Sequence, residues 1–357
     1  MSIKTDSEKL LNWYDKNGRD LPWRYKNGNK PDPYVVWLSE IMLQQTTVAV
    51  VKGYFSRFIN RWPTLFDLSK ASLDEVLQEW SGLGYYARAR NLHKCAEIIS
   101  KKYLGKFPQN ERELIQLPGV GEYTSAAIMS IAFNKKATVV DSNVERVISR
   151  IFAITESLPS SKRVIRKKAQ EISPANRFGD YSQAIMDLGS TICLPKTPLC
   201  VECPWEEICQ ARMKGIEKNL PVKKPKKPKP LRQGICFWII RHDGYVLLRK
   251  RQEKGLLGGM MEIPSTPWEK NIQTIDKAIE YSPLRLSMVN WSILSDNVKH
   301  VFSHFNLLLI IASAKIKRDK LEKLSLTEDF VWVNPNQINQ LAIPSLTKKI
   351  ARVAKRK

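Results

Sequence analysis

Apolar residues recur at helical spacing through the first part of the chain and give way to short strand-like runs later. Helical periodicity is clearest in these segments: Leu10–Tyr14, Val35–Val51, Leu73–Trp80, Asn91–Tyr103 and Val144–Ile154. Short breaks at proline separate them, for example at Trp62-Pro63 and Phe107-Pro108. The pattern therefore predicts a mainly helical domain over residues 1–213.

A run of lysines and prolines, Pro221–Pro230, interrupts this pattern. Proline biases the run toward an extended chain and the charges keep it solvated, so we predict a linker over 214–230. The strand-like runs that follow are Ile235–Ile240, Tyr245–Leu248, Phe305–Ala312 and Phe330–Val333. The first two flank His242-Asp243-Gly244, which is a favourable hairpin turn. With candidate helices at 274–280 and 344–354, residues 231–357 form a predicted α+β domain.

The charge balance adds a candidate partner. The 357 residues include 58 Lys and Arg but only 35 Asp and Glu, a formal net charge of +23. This surplus favours nucleic acid, because counterion release from phosphates drives such binding. An anionic membrane surface, or no such partner, are the alternatives. We see no secretory signal and no apolar stretch near the roughly 20 residues that span a bilayer. A soluble cytoplasmic protein without membrane contact is expected, associated with the nucleoid if bacterial.

Four cysteines lie close together with the spacing C-x6-C-x2-C-x5-C: Cys193, Cys200, Cys203 and Cys209. Prolines between them prevent a single helix, so the segment 193–209 is predicted to wrap as a loop. Disulfides are rare inside cells, which makes metal binding the favoured role. From the spacing alone a [4Fe–4S] cluster, a zinc ion and no metal all remain open. Cys95 and Cys236 lie in apolar stretches and are predicted core residues.

Glu40 is a candidate acid. It lies in the predicted helix that Asp32-Pro33 opens, on one face with Val36, Leu43 and Gln44. Desolvation on a mostly apolar face raises the pKa of a carboxyl group and suits it to general acid catalysis near neutral pH. A merely exposed glutamate is the alternative.

Asp141 is a second candidate carboxylate, at the end of an apolar run. It could simply cap the next helix. However, Ser142 and Glu145 offer a capping box of their own, which would leave Asp141 free to face elsewhere.

The segment Leu117–Gly121 joins two predicted helices, Glu111–Gln116 and Glu122–Phe133. Its glycines would let the backbone approach a phosphate, toward which the second helix directs its N-terminal amides. A plain helix–helix turn is the alternative.

The cysteine spacing and this L-P-G-V-G hairpin resemble those of the endonuclease III-like, helix-hairpin-helix superfamily of DNA glycosylases. The resemblance implies a [4Fe–4S] cluster on the four cysteines and DNA contact by Gly119, Val120 and Gly121. It also implies that Asp141 faces the sugar of a flipped nucleotide. Members with lyase activity carry a nucleophilic lysine where this chain has Tyr123. A monofunctional glycosylase that uses water is therefore expected.

Residues 37–46 (WLSEIMLQQT) and 82–92 (GLGYYARARNL) resemble the adenine glycosylases of the MutY type. In that family the glutamate matching Glu40 protonates adenine at N7, and the aromatic residue matching Tyr85 wedges beside 8-oxoguanine. The glutamine matching Gln45 lies at the emptied position. The resemblance further implies base-pocket residues and polar neighbours of the aspartate: Arg19, Trp23, Leu43 and Gln183 in the pocket, and Tyr123 and Asn143 beside Asp141.

The C-terminal domain contains two further matches. Gly255–Pro264 resembles the segment that opens a Nudix fold, but the catalytic R-E-x-x-E-E pattern does not follow in residues 268–282, so hydrolysis of nucleotides is not expected. The segment from Val301 to His304 resembles the F-S-H loop with which the MutY type reads 8-oxoguanine. This match implies DNA contacts by Phe302, Ser303 and His304.

The chain departs from the MutY type at two places. Ser142 stands where the family usually has glycine, which we expect to alter backbone freedom beside Asp141. The stretch Tyr25–Pro31 is longer and is predicted to be a loop excursion.

These observations predict a monomeric base-excision repair enzyme with a helical glycosylase domain and a Nudix-like lesion-recognition domain. Its expected partner is double-stranded DNA with an adenine opposite 8-oxoguanine or guanine, and its expected reaction is hydrolysis of the adenine N-glycosidic bond. A bifunctional glycosylase/lyase and a non-catalytic iron–sulfur DNA-binding protein are the alternatives. Tyr123 disfavours the first, and the joint presence of Glu40 and Asp141 disfavours the second.

Overall fold

The computed structural model describes residues 3–25, 30–225, 227–253, 255–272, 274–284, 289–321, 324 and 326–356. Residues 26–29 of the predicted loop excursion and residue 226 of the predicted linker lie outside these ranges. The contacts divide the chain into two compact units. Unit 1 comprises residues 1–70 and 91–226, and unit 2 comprises residues 71–90 and 227–357. The predicted domain bounds, 1–213 and 231–357, remain predictions, and the contacts add residues 71–90 to the C-terminal unit.

The α-helices of the described chain are, in order, α1 (Ile3–Asn17), α2 (Pro33–Leu43), α3 (Val48–Arg61), α4 (Leu65–Lys70), α5 (Leu73–Glu79), α6 (Ala87–Lys102), α7 (Glu111–Ile115), α8 (Glu122–Ala127), α9 (Ser142–Ile151), α10 (Lys162–Glu171), α11 (Phe178–Thr191), α12 (Gln210–Met213), α13 (Ile275–Ile279), α14 (Arg318–Leu321) and α15 (Ser345–Ala354). A π-helical turn, Ile128–Ala132, continues α8. Short 3₁₀ turns are Cys200–Glu202, Glu206–Ile208, Glu217–Asn219 and Pro335–Gln340. The strands are β1 (Leu231–Arg241), β2 (Val246–Lys250), β3 (Met261–Glu262), β4 (Ser292–Ile293), β5 (Val298–Val301), β6 (Asn306–Ile316) and β7 (Phe330–Val333). Within these ranges no helix is long and apolar enough to cross a bilayer.

Unit 1 is helical, as its periodicity predicts. In α9 the buried residues Val144, Val147, Ile148 and Ile151 follow the spacing of one helix face, and they join the core to which α11 also contributes. The predicted start of α2 is confirmed, since Pro33 is its first residue and the Asp32 side chain accepts a hydrogen bond from the Tyr34 amide.

The predicted segment Val35–Val51 is not one helix. It is divided between α2 and α3, and between them Gln45 has a left-handed φ of +58°. The apolar pattern does not reveal this break, because the apolar residues on both sides of it keep their helical spacing. The break places Gln45 on an exposed turn.

Unit 2 is built on a mixed sheet with the strand order β3-β2-β1-β6-β4, to which β5 adds on β6 and β7 on β2. The long strands β1 and β6 run parallel, from Leu231 opposite Asn306 to Arg241 opposite Ile316. The other pairs are antiparallel.

Both faces of the central strand β1 are buried. Alternate residues enter two separate cores, with Cys236 and Trp238 in one and Phe237 and Ile239 in the other. The predicted hairpin between β1 and β2 is confirmed, and Gly244 supplies the φ of +89° that its turn requires. Unit 2 is thus an α+β structure, as predicted.

Candidate active site

A cleft of about 780 Å³ lies in unit 1. It brings together predicted site residues that are far apart in the sequence: Arg19, Trp23, Glu40, Leu43, Gln45, Tyr123, Asp141, Asn143 and Gln183. They come from the segment after α1, from α2 and its following turn, and from α8, α9 and α11. The structure therefore assembles one cleft from all the predicted catalytic and base-pocket residues.

Glu40 lies on the inner face of α2 and is only 6% exposed. Its Oε2 accepts a hydrogen bond of 2.8 Å from the Tyr123 hydroxyl. The pKa of Glu40 is raised to about 7, mainly by burial and further by the charge of Asp141. The Tyr123 hydrogen bond and the charge of Arg24 act in the opposite direction and lower it. The carboxyl group therefore holds and releases a proton near neutral pH, as its apolar helix face predicts.

Tyr123 acts as a fixed donor to this carboxyl. Burial and the nearby Glu40 raise the pKa of the Tyr123 hydroxyl well above its ordinary value, so the hydroxyl keeps its proton. The same hydroxyl also approaches the Met186 sulfur at 3.6 Å. Tyr123 thereby orients the Glu40 carboxyl and stabilises its ionised form.

Asp141 is the N-cap of α9, and the expectation that Ser142 and Glu145 would cap this helix is wrong. Asp141 Oδ1 accepts hydrogen bonds from the amides of Asn143 (2.9 Å) and Val144 (2.8 Å). The helix already begins at Ser142, so the preceding residue takes the extended conformation of a cap. Capping does not withdraw Asp141 from the site, because it still lines the cleft.

The second oxygen of Asp141 is also held. Oδ2 accepts a hydrogen bond of 2.9 Å from the Asn143 side-chain amide. Burial raises the pKa of Asp141, while these hydrogen bonds and the charge of Arg146 oppose that rise by favouring the carboxylate. Ser142 takes an ordinary helical conformation with negative φ, so glycine is not required at this position.

Arg146 holds Asn143, which in turn holds Asp141. Arg146 donates to the Asn143 side-chain oxygen (3.0 Å) and to the Cys193 carbonyl (2.7 Å), and it also donates to the Gly189 carbonyl. A Cβ on Gly189 would lie 2.6 Å from the Asn143 Cβ, so only glycine lets α11 approach α9 this closely. The position of Asn143 is therefore fixed by packing as well as by hydrogen bonds.

A buried ionic cluster at the rim of the cleft was not anticipated from the sequence. Asp187 is fully buried and accepts hydrogen bonds from both terminal nitrogens of Arg24, at 2.6 and 2.7 Å. Arg19 adds its Nε at 2.6 Å and its backbone amide at 2.9 Å. Burial alone would raise the pKa of Asp187, but the two guanidinium groups outweigh it and the pKa lies below its ordinary value. Asp187 thus fixes two arginines that line the cleft, although 163 or more residues separate it from both.

The predicted hairpin joins α7 to α8. Gly119 has a φ of +77°, and Gly121 is the N-cap of α8, where a Cβ would meet no atom within 4 Å. Val120 is buried, so its side chain anchors the turn. This geometry suits a close backbone approach to phosphate.

The remaining predicted contacts belong to unit 2. Ser303 and His304 are exposed in the turn between β5 and β6, while the Phe302 ring stacks on Trp268 with 5.6 Å between centroids. The Phe302 ring is therefore an anchor of the loop, and Ser303 and His304 are its exposed side chains. Tyr85 is 48% exposed, with a φ of +48°.

The predicted cysteine loop surrounds one small cavity. All four cysteines, Cys193, Cys200, Cys203 and Cys209, line it together with apolar residues and four charged ones, Arg150, Glu206, Arg212 and Glu217. Arg150 is 1% exposed and donates to the Cys193 sulfur at 3.2 Å. Within the described ranges, no three His, Cys, Asp or Glu side chains are grouped to hold a metal ion. Four cysteines around one cavity, with a guanidinium beside Cys193, are a donor set of the kind that thiolate-bound metal centres use.

Comparisons with known proteins match both units. The family model described as HhH-GPD superfamily base excision DNA repair protein matches residues 38–175, and the NUDIX domain model matches residues 235–353. The adenine DNA glycosylase of Homo sapiens is 35% identical, over 96% of this chain and 73% of the human protein. The adenine DNA glycosylase of Buchnera aphidicola subsp. Baizongia pistaciae is 34% identical, over 98% and 96% of the two chains.

Solved structures show the same helical fold. A thermostable thymine-DNA glycosylase is 32% identical with a TM-score of 0.54, over 59% of this chain and 97% of that chain. An endonuclease III in a non-covalent complex with DNA is 25% identical with a TM-score of 0.50, over 60% and 97%.

The raised pKa of Glu40 predicts a pH-dependent stability difference for Glu40→Gln. The folded state binds the Glu40 proton more tightly than the unfolded chain, so wild-type stability falls as pH rises from 4.5 to about 7. Above pH 7 burial of the ionised carboxyl lowers the stability by on the order of 3 kcal/mol, whereas a neutral glutamine has no such cost. The free energy of unfolding, measured by denaturant titration, should therefore increase in Glu40→Gln relative to wild type between pH 5 and pH 8. Glu156→Gln, at an exposed site, should show no such trend, and a pH-independent difference for Glu40→Gln would contradict the assignment.

Proposed function

Since this chain belongs to the adenine DNA glycosylase family, we propose that it acts in base-excision repair on adenine mispaired with 8-oxoguanine or guanine. In this proposal it flips the adenine from the duplex and hydrolyses the N-glycosidic bond without lyase activity. The observation that carries the proposal is the cleft in which Glu40, with a pKa of about 7, and the hydrogen-bonded Asp141 face one space.

Glu40 is the proposed general acid. Adenine leaves poorly as an anion, so its departure requires a proton on the ring, and N7 is the atom that the family resemblance indicates. A group with a pKa close to the working pH is protonated often enough to donate and is still acidic enough to transfer its proton. Tyr123 holds the Glu40 carboxyl, and Trp23, Leu43 and Gln183 line the proposed base pocket.

Asp141 is the proposed stabiliser of the sugar. Loss of adenine leaves an oxocarbenium-like centre, which a carboxylate stabilises by charge or by a transient covalent bond. Three hydrogen bonds to Asp141 favour its ionised form. Two carboxyl groups with opposite protonation requirements thereby divide the reaction. Water then completes the hydrolysis.

The absence of an amine from the Tyr123 position supports the monofunctional mechanism. Among the described residues that line the cleft, the lysine is Lys162, whose ammonium pairs with Glu145 at 3.5 Å. Lys162 is therefore the residue to test if lyase activity is found.

Duplex binding and lesion reading are assigned to both units. The net charge of +23 supports binding to the phosphate backbone, with Gly119, Val120 and Gly121 as backbone contacts. Extrusion of the adenine costs least when the base is mispaired. Gln45 and Tyr85 are the proposed contacts at the opened base pair, and Phe302, Ser303 and His304 form the proposed loop that reads 8-oxoguanine. We propose that the protein works as a monomer.

A [4Fe–4S] cluster is the proposed cofactor. Cys193, Cys200, Cys203 and Cys209 would hold it as thiolates, and Arg150 would place a positive charge beside Cys193. When bound, such a cluster supplies a rigid, redox-capable centre. Equal amounts of iron and acid-labile sulfide in the purified protein would support the cluster, whereas zinc would refute it.

The test of the proposed function is a strand-cleavage assay on a duplex with one adenine opposite 8-oxoguanine. Wild type should release adenine, and the strand should break at that position only after hot alkali. Glu40→Gln and Asp141→Asn should each lower the single-turnover rate by at least about a hundredfold, because each removes one of the two roles. DNA affinity of both variants should survive, as measured by fluorescence anisotropy.

The controls separate the alternatives. Glu156→Gln, an exposed change in the same unit, should leave the rate unchanged. Breaks without alkali, together with covalent trapping by borohydride, would establish a lyase, and loss of trapping in Lys162→Ala would identify its amine. Tight binding without adenine release would establish a non-catalytic DNA-binding protein.

His304→Ala should reduce the preference for 8-oxoguanine over guanine opposite the adenine. The side chain is exposed at the turn tip, while the Phe302 ring is packed inward, so its removal should not disturb the loop. The measurement is the ratio of single-turnover rates on the two duplexes. His242→Ala, at an exposed turn of the same unit, is the matched control. An unchanged ratio in His304→Ala would show that the loop does not read the lesion.

A further inference from the structure

The Nudix-like segment Gly255–Pro264 has no assigned role, because the catalytic glutamate pattern of nucleotide hydrolases does not follow it. In the structure its first turn contacts residues 71–90, which belong to the same unit. We propose that the Gly255–Gly259 turn and Arg90 form a clamp that fixes the Tyr85 turn to the lesion-reading sheet, and that Arg90 is thereby a positioning residue for 8-oxoguanine selectivity. The selectivity part rests on the proposed function.

Arg90 makes the central contacts of the clamp. Its guanidinium donates to the Gly258 carbonyl at 2.6 Å and more weakly to the Gly255 carbonyl at 3.5 Å. The turn can present these carbonyls because of its glycines. A Cβ on Gly258 would lie 2.3 Å from the Glu253 carbonyl oxygen, and Gly259 has a φ of +73°. A side chain at either position would reshape the turn.

Other contacts of the same segment strengthen the attachment. Gln78 donates to the Gln340 carbonyl at 2.6 Å, and Ser81 donates to the Ile343 carbonyl at 3.1 Å. Lys250 pairs with Asp74 at 2.9 Å. Side chains of α5 and of the turn after it thus contact two further regions of unit 2, at Lys250 and at residues 340–343, in addition to the turn that Arg90 holds.

Internal hydrogen bonds hold the shape of the Tyr85 turn, so attachment of its ends should also fix its tip. The Gly84 carbonyl accepts hydrogen bonds from the Trp80 indole and from Arg88, each at 3.0 Å. The Tyr86 hydroxyl accepts a hydrogen bond from the Gly82 amide at 3.2 Å. Tyr85 remains exposed at the tip, in a left-handed conformation. A stiff turn on a fixed base carries its aromatic ring at a defined place in the unit that also contains Ser303 and His304.

The consequence for selectivity is geometric. Tyr85 and the loop with Ser303 and His304 belong to one unit, so both contact the same base pair only when their relative position is fixed. If the Tyr85 turn is loosened, this relative position is lost before DNA affinity is lost. Loss of the clamp should therefore reduce the rate opposite 8-oxoguanine while the rate opposite guanine changes little.

The test compares Arg90→Ala and Arg90→Lys with wild type in the full-length protein. The ratio of single-turnover rates opposite 8-oxoguanine and guanine should fall about tenfold in Arg90→Ala, as expected for loss of a charged hydrogen bond. Arg90→Lys retains one donor and should recover part of the ratio. Hydrogen exchange of the free protein, read by mass spectrometry, should quicken at residues 82–86 and 255–260 in Arg90→Ala. Arg352→Ala, an exposed change in the same unit, should alter neither readout.

Each contrary outcome has a separate meaning. Unchanged exchange in Arg90→Ala would overturn the clamp. Faster exchange with an unchanged rate ratio would overturn its role in selectivity. A wild-type enzyme that does not distinguish the two duplexes would refute the lesion reading in the proposed function, whereas the exchange result would still decide the clamp. If Arg90→Ala does not fold, Gln78→Ala removes another donor of the segment and should produce the same changes to a smaller extent.

Discussion

Burial of the Glu40 carboxyl is the constraint on which the site depends. An ionised carboxylate that is shielded from water is costly, so the group keeps its proton up to neutral pH. The surroundings limit this effect to a useful range, because the Tyr123 hydroxyl and the charge of Arg24 both favour the anion. Arg24 is fixed beside the cleft because Asp187 accepts its hydrogen bonds and balances its charge. Acid strength is thus set by packing and tuned by fixed partners.

The second carboxylate, Asp141, is held by hydrogen bonds that oppose the rise in pKa that its burial causes. Asp141 receives amides from the first turn of α9, and its remaining oxygen is held by Asn143. The close contact that Gly189 permits between α9 and α11 positions Asn143, and Arg146 ties it to the start of the cysteine loop. The cysteine loop therefore has a structural connection to the site in addition to any cofactor that it holds.

Local patterns sufficed to predict much of this molecule. Helix periodicity predicted α1, α6 and α9, and alternation with a turn predicted the β1–β2 hairpin. The break at Gln45 was not predicted because it does not interrupt the apolar spacing. The cap at Asp141 was misjudged because two residues offered competing side chains, and only the backbone decides where the helix begins. The pairing of Asp187 with Arg19 and Arg24, and of Arg90 with the Gly255–Gly259 turn, joins residues more than 160 positions apart and leaves no local signal.

The most direct measurement is the pH dependence of single-turnover adenine removal by wild type and Tyr123→Phe. If Glu40 is the acid, the wild-type rate falls as pH rises through about 7, where the carboxyl loses its proton. Tyr123→Phe removes a hydrogen bond that favours the anion, so the pKa of Glu40 rises and the falling limb moves to higher pH. A limb at the same pH in both proteins, or no limb near neutral pH, would contradict the account.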